Sequence, residues 1–354
     1  MREKGLKKII SLILVILVMV PMSVSCGNGE NSDKTLYSAS FIQFFDTVTV
    51  IKGYEKSKEE FSKVSQELYA LIEKYHKLFD IYYEYSGINN LCTVNKSSGN
   101  AVKVDVEIID FLEYAKELCL RSEGKVNIAM GSVLSIWHTY REEGIRDPEN
   151  AKLPKQDELE AANEHVDIND IVIDRESMSV TLPDPDMKLD VGAIAKGYTA
   201  ELCAKYLEEQ GKEGYVISLG GNIRTVGEKP QGEAWKLGIE DPASETDEYL
   251  LRLSLGGGYS LVTSGNYQRY YTVEGKRYHH IIDPETLYPS DSYILVSIVS
   301  RDSGQADALS TALFNMSVEE GKALLSEFEG AEAVWYLSDG SVICSEGIAD
   351  FEIK

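Results

Sequence analysis

Leu261-Val-Thr-Ser-Gly-Asn-Tyr-Gln-Arg-Tyr-Tyr-Thr-Val-Glu-Gly-Lys-Arg-Tyr-His-His-Ile-Ile-Asp-Pro-Glu-Thr-Leu-Tyr-Pro289 is the stretch from which the chain is best read. Two β-branched and aromatic runs flank Glu274-Gly275-Lys276, the pattern of a hairpin, and the second strand is expected to end at Asp283-Pro284. That geometry puts His280 at a strand end, beside a loop closed by proline. A histidine there has two readings: a general base titrating near neutral pH, or a half-buried filler of an ordinary strand.

The wording of the stretch resembles the signature of the ApbE family of FAD:protein FMN transferases, a T-S-G-x-Y segment followed by G-K-x-Y-x-H-I-I-D-P-x-T-G-x-P. Thr263, Ser264, Gly265, Tyr267, Gly275, Lys276, Tyr278, His280, Ile281, Ile282, Asp283, Pro284, Thr286 and Pro289 match it. Leu287 stands where the family pattern has glycine.

Composition sets outer limits. The 354 residues suffice for one large domain or two small ones, and 43% hydrophobic with 26% charged content is ordinary for a globular chain. Thirty-five basic against fifty-eight acidic residues give a net charge of −23. This argues against nucleic acid as a partner, which needs a basic surface. It also means that an anionic ligand needs local help from a metal, a lysine or helix N-termini.

At the amino terminus Arg2, Lys4, Lys7 and Lys8 precede an apolar run from Ile9 to Val20 and then Pro21-Met22-Ser23-Val24-Ser25-Cys26. A positive segment, a short apolar one and small residues before a cleavage point mark a secretory signal over residues 1–25. Cys26 is the expected lipidation site of a lipoprotein, although Ser23 stands where such signals usually carry leucine. The alternative is an uncleaved anchor, for which the run is short. Residues 26–36 then read as a polar linker, and 37–354 as a single domain on the extracytoplasmic face of the cell membrane. Cys92, Cys119, Cys203 and Cys344 contain no Cys-x-x-Cys pair, which argues against a zinc or thioredoxin-like site.

In chain order, Tyr37–Gly53 reads as a strand or strand pair, and Ser57–Asp80 as an amphipathic helix. Asp105 is expected to cap a helix running to about Ser122. Lys188-Leu189-Asp190 reads as a strand that breaks at Gly192 and opens a helix. Free backbone N–H groups and the positive helix end would then meet where a pyrophosphate can sit, although an ordinary β-α turn has the same pattern. Val216–Ile223 reads as a buried strand with Gly220 and Gly221 open to close ligand approach. Asp307 and Thr311, at i and i+4 of a helix, put two hard oxygens on one face. That spacing suits Mg²⁺, and is equally that of an Asp near a helix start with an unrelated Thr one turn on.

The resemblance continues through these segments. Tyr85–Asn95 is similar to a family segment lining the flavin pocket, implying Asn89 near the ligand. Val126–Trp137 matches another at Met130, Gly131, Leu134 and Trp137, while Asn127-Ile128 replaces Asp-Pro. Asp190–Tyr198 is similar to D-L-G-G-I-A-K-G-Y, implying that Lys196 contacts FAD and that a carbonyl at Ala193 reaches the metal. Asp307-Ala-x-x-Thr311-Ala resembles the metal-binding helix. The family implies an α+β fold, with antiparallel sheets of the T-fold kind and flanking helices. It also implies Mg²⁺-dependent transfer of FMN from FAD to a Thr or Ser of an acceptor, with AMP leaving. His280 and Asp307 would be catalytic, and Ser264 and Tyr267 would join the flavin site. The family's acceptor motif, D-x-x-[ST]-G-A-[ST], is absent from this chain, consistent with an acceptor elsewhere, such as a subunit of a membrane redox complex. An FAD pyrophosphatase and a non-catalytic flavin-binding lipoprotein are the alternatives.

Overall fold

A computed structural model describes residues 33–244 and 248–353; the expected signal, Cys26 and most of the expected linker lie outside them. Strands β1 (Thr35–Phe44) and β2 (Thr47–Glu55) form a hairpin through Phe45 and Asp46, both at positive φ. That turn has the twist antiparallel strands need, so the opening element is a pair. Helix α1 (Lys58–Phe79) starts where Ser57 accepts the Glu60 N–H, and Phe61, Val64, Leu68, Ile72, Tyr75 and Phe79 line its buried face. After α2 (Leu91–Asn95) and β3 (Val102–Lys103) comes α3 (Val106–Arg121). Asp105 occupies its N-cap position without making the expected side-chain bond, and the buried face from Ile108 to Cys119 holds the helix instead.

Helices α4 (Gly131–Arg146) and α5 (Gln156–Asn163) lead to the short strands β4 (Val172–Asp174) and β5 (Ser179–Thr181). Next come α6 (Ala195–Glu209), β6 (Tyr215–Leu219), β7 (Asn222–Val226), β8 (Trp235–Glu240) and β9 (Tyr249–Leu255). The hairpin region supplies β10 (Ser260–Gly265), β11 (Tyr270–Val273) and β12 (Lys276–His279). Strand β13 (Tyr293–Ser300), α7 (Ser303–Phe314), α8 (Val318–Leu325), β14 (Glu332–Leu337) and β15 (Val342–Cys344) follow.

Eight strands make one antiparallel sheet in the order β1-β2-β6-β7-β10-β13-β14-β15, and three small antiparallel sheets surround it. The α+β expectation is therefore met. Alternation along the central strands explains the layering. Val262, Val296, Ile298, Ala333 and Trp335 face α7, whereas Leu261, Leu295, Val299 and Val334 face the β8–β9 hairpin. Helices α1 and α6 cover β1, β2 and β6 in a separate cluster. Helix α7 is buried on nearly every side. Cys92, Cys119 and Cys203 are buried thiols and Cys344 is an exposed one.

Three expectations need correction. Lys188–Asp190 is not a strand; a single bridge joins Lys188 to Met130. The Asn95 side-chain amide takes both polar groups of Leu189, donating to its carbonyl at 2.9 Å and accepting its N–H at 2.7 Å, so no ladder is needed. Val216–Ile223 is two strands, because Gly220 and Gly221 both take positive φ (61° and 91°) and turn the chain into β7. Strand β12 ends at His279, four residues before Asp283.

Leu287 adopts φ +61°, a conformation that glycine takes without penalty, while its side chain is 3% exposed. Its N–H donates to the Asp283 carbonyl and its own carbonyl accepts Trp137 Nε1–H at 2.9 Å. The left-handed conformation costs a branched residue roughly 1–2 kcal/mol, and deleting a buried leucine side chain costs roughly 2–5 kcal/mol. Leu287→Gly is therefore expected to lose about 1–3 kcal/mol in a urea titration. A gain in stability would show that strain outweighs packing here.

Candidate flavin and cation site at the crossing of α6 and α7

Two glycines prepare the crossing. At Gly197 an added Cβ would collide with the Ser303 carbonyl and the Asp307 Cβ, so only glycine lets α6 lie this close to α7. At Gly192, whose N–H donates to Asp190 Oδ1 at 2.9 Å, the chain turns into α6. The consequence is a convergence of charges from distant segments. Gly197 N–H donates to Asp307 Oδ2 at 2.8 Å, and Lys196 Nζ lies 3.6 Å from the same oxygen while donating to the Gly192 carbonyl at 2.9 Å.

Asp307 is 3% exposed, and burial pushes its pKa up against the pull of Lys196, the Gly197 N–H and the Asn222 amide. Asn222 Nδ2 is itself buried without a hydrogen bond of normal geometry. A buried carboxylate in this position favours a cation beside it. One turn on, Thr311 sits 3.5 Å from Ser264 Oγ, which also bonds Ser310 Oγ at 2.7 Å; Ser310 in turn donates to the Asp307 carbonyl. The carboxylate, the hydroxyls and the carbonyls of the Gly192-Ala193 turn are hard oxygens, the donor chemistry that Mg²⁺ prefers.

The other expected residues are placed less centrally. Tyr267 lies over Gly265, where an added Cβ would strike its ring, and packs with the β8–β9 cluster. Gly220 is closed by Thr47, while Gly221 faces open space. Met130 is buried with Val133, Trp137 and Ile282 at the start of α4. Asn89 is exposed and donates to the Lys103 carbonyl, which gives it a structural role.

His280 departs from its expected titration. Burial, then the fields of Arg269, His279, Arg141 and Lys196, drive its pKa down to about 3. The ring is thus neutral at pH 7, and its Nδ1 is buried without a hydrogen-bond partner. Its neighbour His279 donates or accepts elsewhere, with Nε2 on the Ser290 carbonyl and Nδ1 accepting the Ile281 N–H. No hydrogen bond among the described residues joins His280 to Asp307 or Lys196.

Sequence reading missed Arg141, Arg269, Asp190, Asn222 and the Glu201–Arg224 pair. Their only linear signal was Asp190, two residues before a glycine turn.

The sequence model of the ApbE family matches residues 45–335. The chain belongs to the ApbE family. ApbE relatives named FAD:protein FMN transferase include one from Treponema pallidum, 32% identical over 95% of this chain and 93% of its own length. Another, from Klebsiella pneumoniae, is 31% identical over 89% and 93%. The shared name is that of an enzyme, and this chain is an enzyme of the same family. Among solved structures, an ApbE protein from Thermotoga maritima superposes with a TM-score of 0.79 at 27% identity, covering 90% of this chain and all of that one. The flavin transferase ApbE from Vibrio cholerae gives 0.73 at 23% identity over 90% and 99%, a likeness of fold.

Proposed function

We propose that this chain transfers FMN from FAD to a Thr or Ser hydroxyl of another protein, with Mg²⁺ bound and AMP leaving. The observation that carries the reading is the meeting of Lys196 and the Gly197 N–H on the buried Asp307 carboxylate, with Thr311 one turn away. Asp307, Thr311 and the Ala193 carbonyl would hold the metal. Mg²⁺ in that place neutralises pyrophosphate charge and polarises the reacting phosphorus. Lys196 offsets further anionic charge. His280, neutral as folded, is suited to take the acceptor's hydroxyl proton as that oxygen bonds the FMN-side phosphorus. The anhydride bond breaks on the other side, and AMP leaves with the bonding pair.

Leu287 takes a left-handed backbone conformation that the family's glycine also allows, so the substitution leaves this turn compatible with the family pattern. The acceptor is read as carrying a D-x-x-[ST]-G-A-[ST] segment in a membrane redox complex. Incubation with FAD, Mg²⁺ and a peptide of that motif is expected to add the mass of FMN to the peptide with an equal yield of AMP. Free FMN and AMP with an unmodified peptide would mean a hydrolase, and FAD bound without turnover would mean a flavin-binding protein.

The pH profile tests His280. Because its folded pKa lies below the ordinary 6.5, the unfolded chain binds the proton more readily between those values, and the residue withdraws stability as pH falls through that window. The acid limb of kcat/KM, which reports the free enzyme, is expected well below 6.5, and His280→Ala should remove it. Bound pyrophosphate opposes the cationic field, so the limb in kcat is expected at higher pH than that in kcat/KM. A kcat/KM limb between about 6 and 7 would exclude this assignment.

The extracytoplasmic, lipid-anchored location rests on the basic start, the apolar run and Cys26. Cys26→Ala is expected to abolish incorporation of labelled fatty acid into the protein; undiminished labelling would remove Cys26 as the anchor.

A further inference from the structure

The charges of Arg141 and Arg269 both act on His280. The hairpin register pairs Tyr270 with His279 and Tyr271 with Tyr278, so one step beyond the ladder Arg269 stands opposite His280. Side chains alternate between the faces of a ribbon, which puts Arg269 and His280 on the face that carries Tyr271 and Tyr278. Helix α4 covers that face. The Trp137 ring stacks on Tyr278 with centroids 6.3 Å apart, and an added Cβ at Gly144 would strike the Tyr271 ring. Arg141 lies four residues after Trp137 and three before Gly144, on the same side of the helix.

Neither arginine has a carboxylate within ion-pair distance among the described residues, in a chain with fifty-eight acidic side chains. Arg141 Nη2 donates to His138 Nδ1 at 2.8 Å, and Arg269 Nη2 makes only long contacts of 3.5 and 3.4 Å to the Phe45 and Asp46 carbonyls. Burial lowers the pKa of Arg141, and Arg269 lowers it further, so the two cations feel one another. Glu142 and, more weakly, Asp190 are the carboxylates in the field of Arg141; burial pushes the Asp190 pKa up while the Gly192 N–H holds it in place. A half-buried guanidinium such as Arg141 that makes no close ion pair is costly, and a planar guanidinium fork matches a pair of phosphate oxygens.

We propose that Arg141 and Arg269 form a phosphate clamp that makes this site select phosphorylated flavins over uncharged riboflavin. The clamp rests on the flavin-transferase reading and adds to Lys196 a second set of cations for the substrate's phosphates. Binding of FAD, FMN and riboflavin to the protein without Mg²⁺, followed by flavin fluorescence, tests it free of turnover. Wild-type protein is expected to bind FAD and FMN at least about tenfold tighter than riboflavin. Arg141→Met and Arg269→Met should each weaken FAD by about 10- to 100-fold, the range of charge-assisted hydrogen bonds, and leave riboflavin unchanged. Arg269 is exposed, so its variant carries the test even if Arg141→Met fails to fold. Unchanged FAD affinity in the folded variants, or equal losses for FAD and riboflavin, would overturn the clamp alone. Failure of the wild-type protein to bind any of the three flavins would overturn the transferase reading and the clamp with it.

Discussion

Asp307→Asn is expected to cut FMN transfer by about 10²- to 10³-fold while leaving the metal-free melting temperature unchanged or higher, given the several kcal/mol that a catalytic metal supplies. The two halves of the prediction share one cause. Burial opposes the charge of Asp307 more than Lys196 and the Gly197 N–H support it, so its ionised form is less favourable in the folded chain than in water. Asparagine keeps the shape and an oxygen to accept the Gly197 N–H, but removes the charge that would hold a cation. Rates against Mg²⁺ concentration, beside thermal melts without metal, would measure both. Near-wild-type transfer at ordinary Mg²⁺ would remove Asp307 from the metal site, and a fall of many degrees in melting temperature would make the carboxylate a structural group.

Arg224→Met is expected to cost about 3–5 kcal/mol, the usual effect of leaving one member of a buried ion pair alone. Arg224 Nε and Nη2 donate to the two Glu201 oxygens at 2.8 and 3.2 Å, and both side chains are under 8% exposed. Glu201 Oε2 also accepts the Ser303 N–H at 3.0 Å, which anchors the first residue of α7 four positions before Asp307. Denaturant titration of Arg224→Met and of Glu201→Gln/Arg224→Met would separate the causes. The double variant should recover most of the loss, because no charge is then buried without a partner. If the double variant is as unstable as the single one, the pair acts by packing rather than by charge.

The sequence carried more of the site than its numbering suggests. Asp307 and Thr311 were legible because a helix repeats every 3.6 residues, and Lys196 because it follows a glycine turn. The hairpin around Glu274-Gly275 was legible because β-branched and aromatic runs flank it; both turn residues take positive φ. Arg141 and Arg269 were not, since only the packing of α4 on β11 brings residues so far apart in sequence together. Lys188–Asp190 read as a strand because apolar alternation says nothing about an amide arriving from Asn95 to satisfy the same backbone. His280 was found, but its charge state depends on burial and on Arg269, His279, Arg141 and Lys196, which no local pattern brings together.

The close approach permitted by Gly197 ties residue 197 to residue 307, which sets the order in which the chain acquires its binding ability. A growing or truncated chain that stops before α7 has the glycine turn and Lys196 but no carboxylate opposite them. On the proposed function, its flavin and cation affinities would arrive together, and only once α7 has been made. On the same reading, ligand capture would then report that two segments 110 residues apart in sequence have been made and joined.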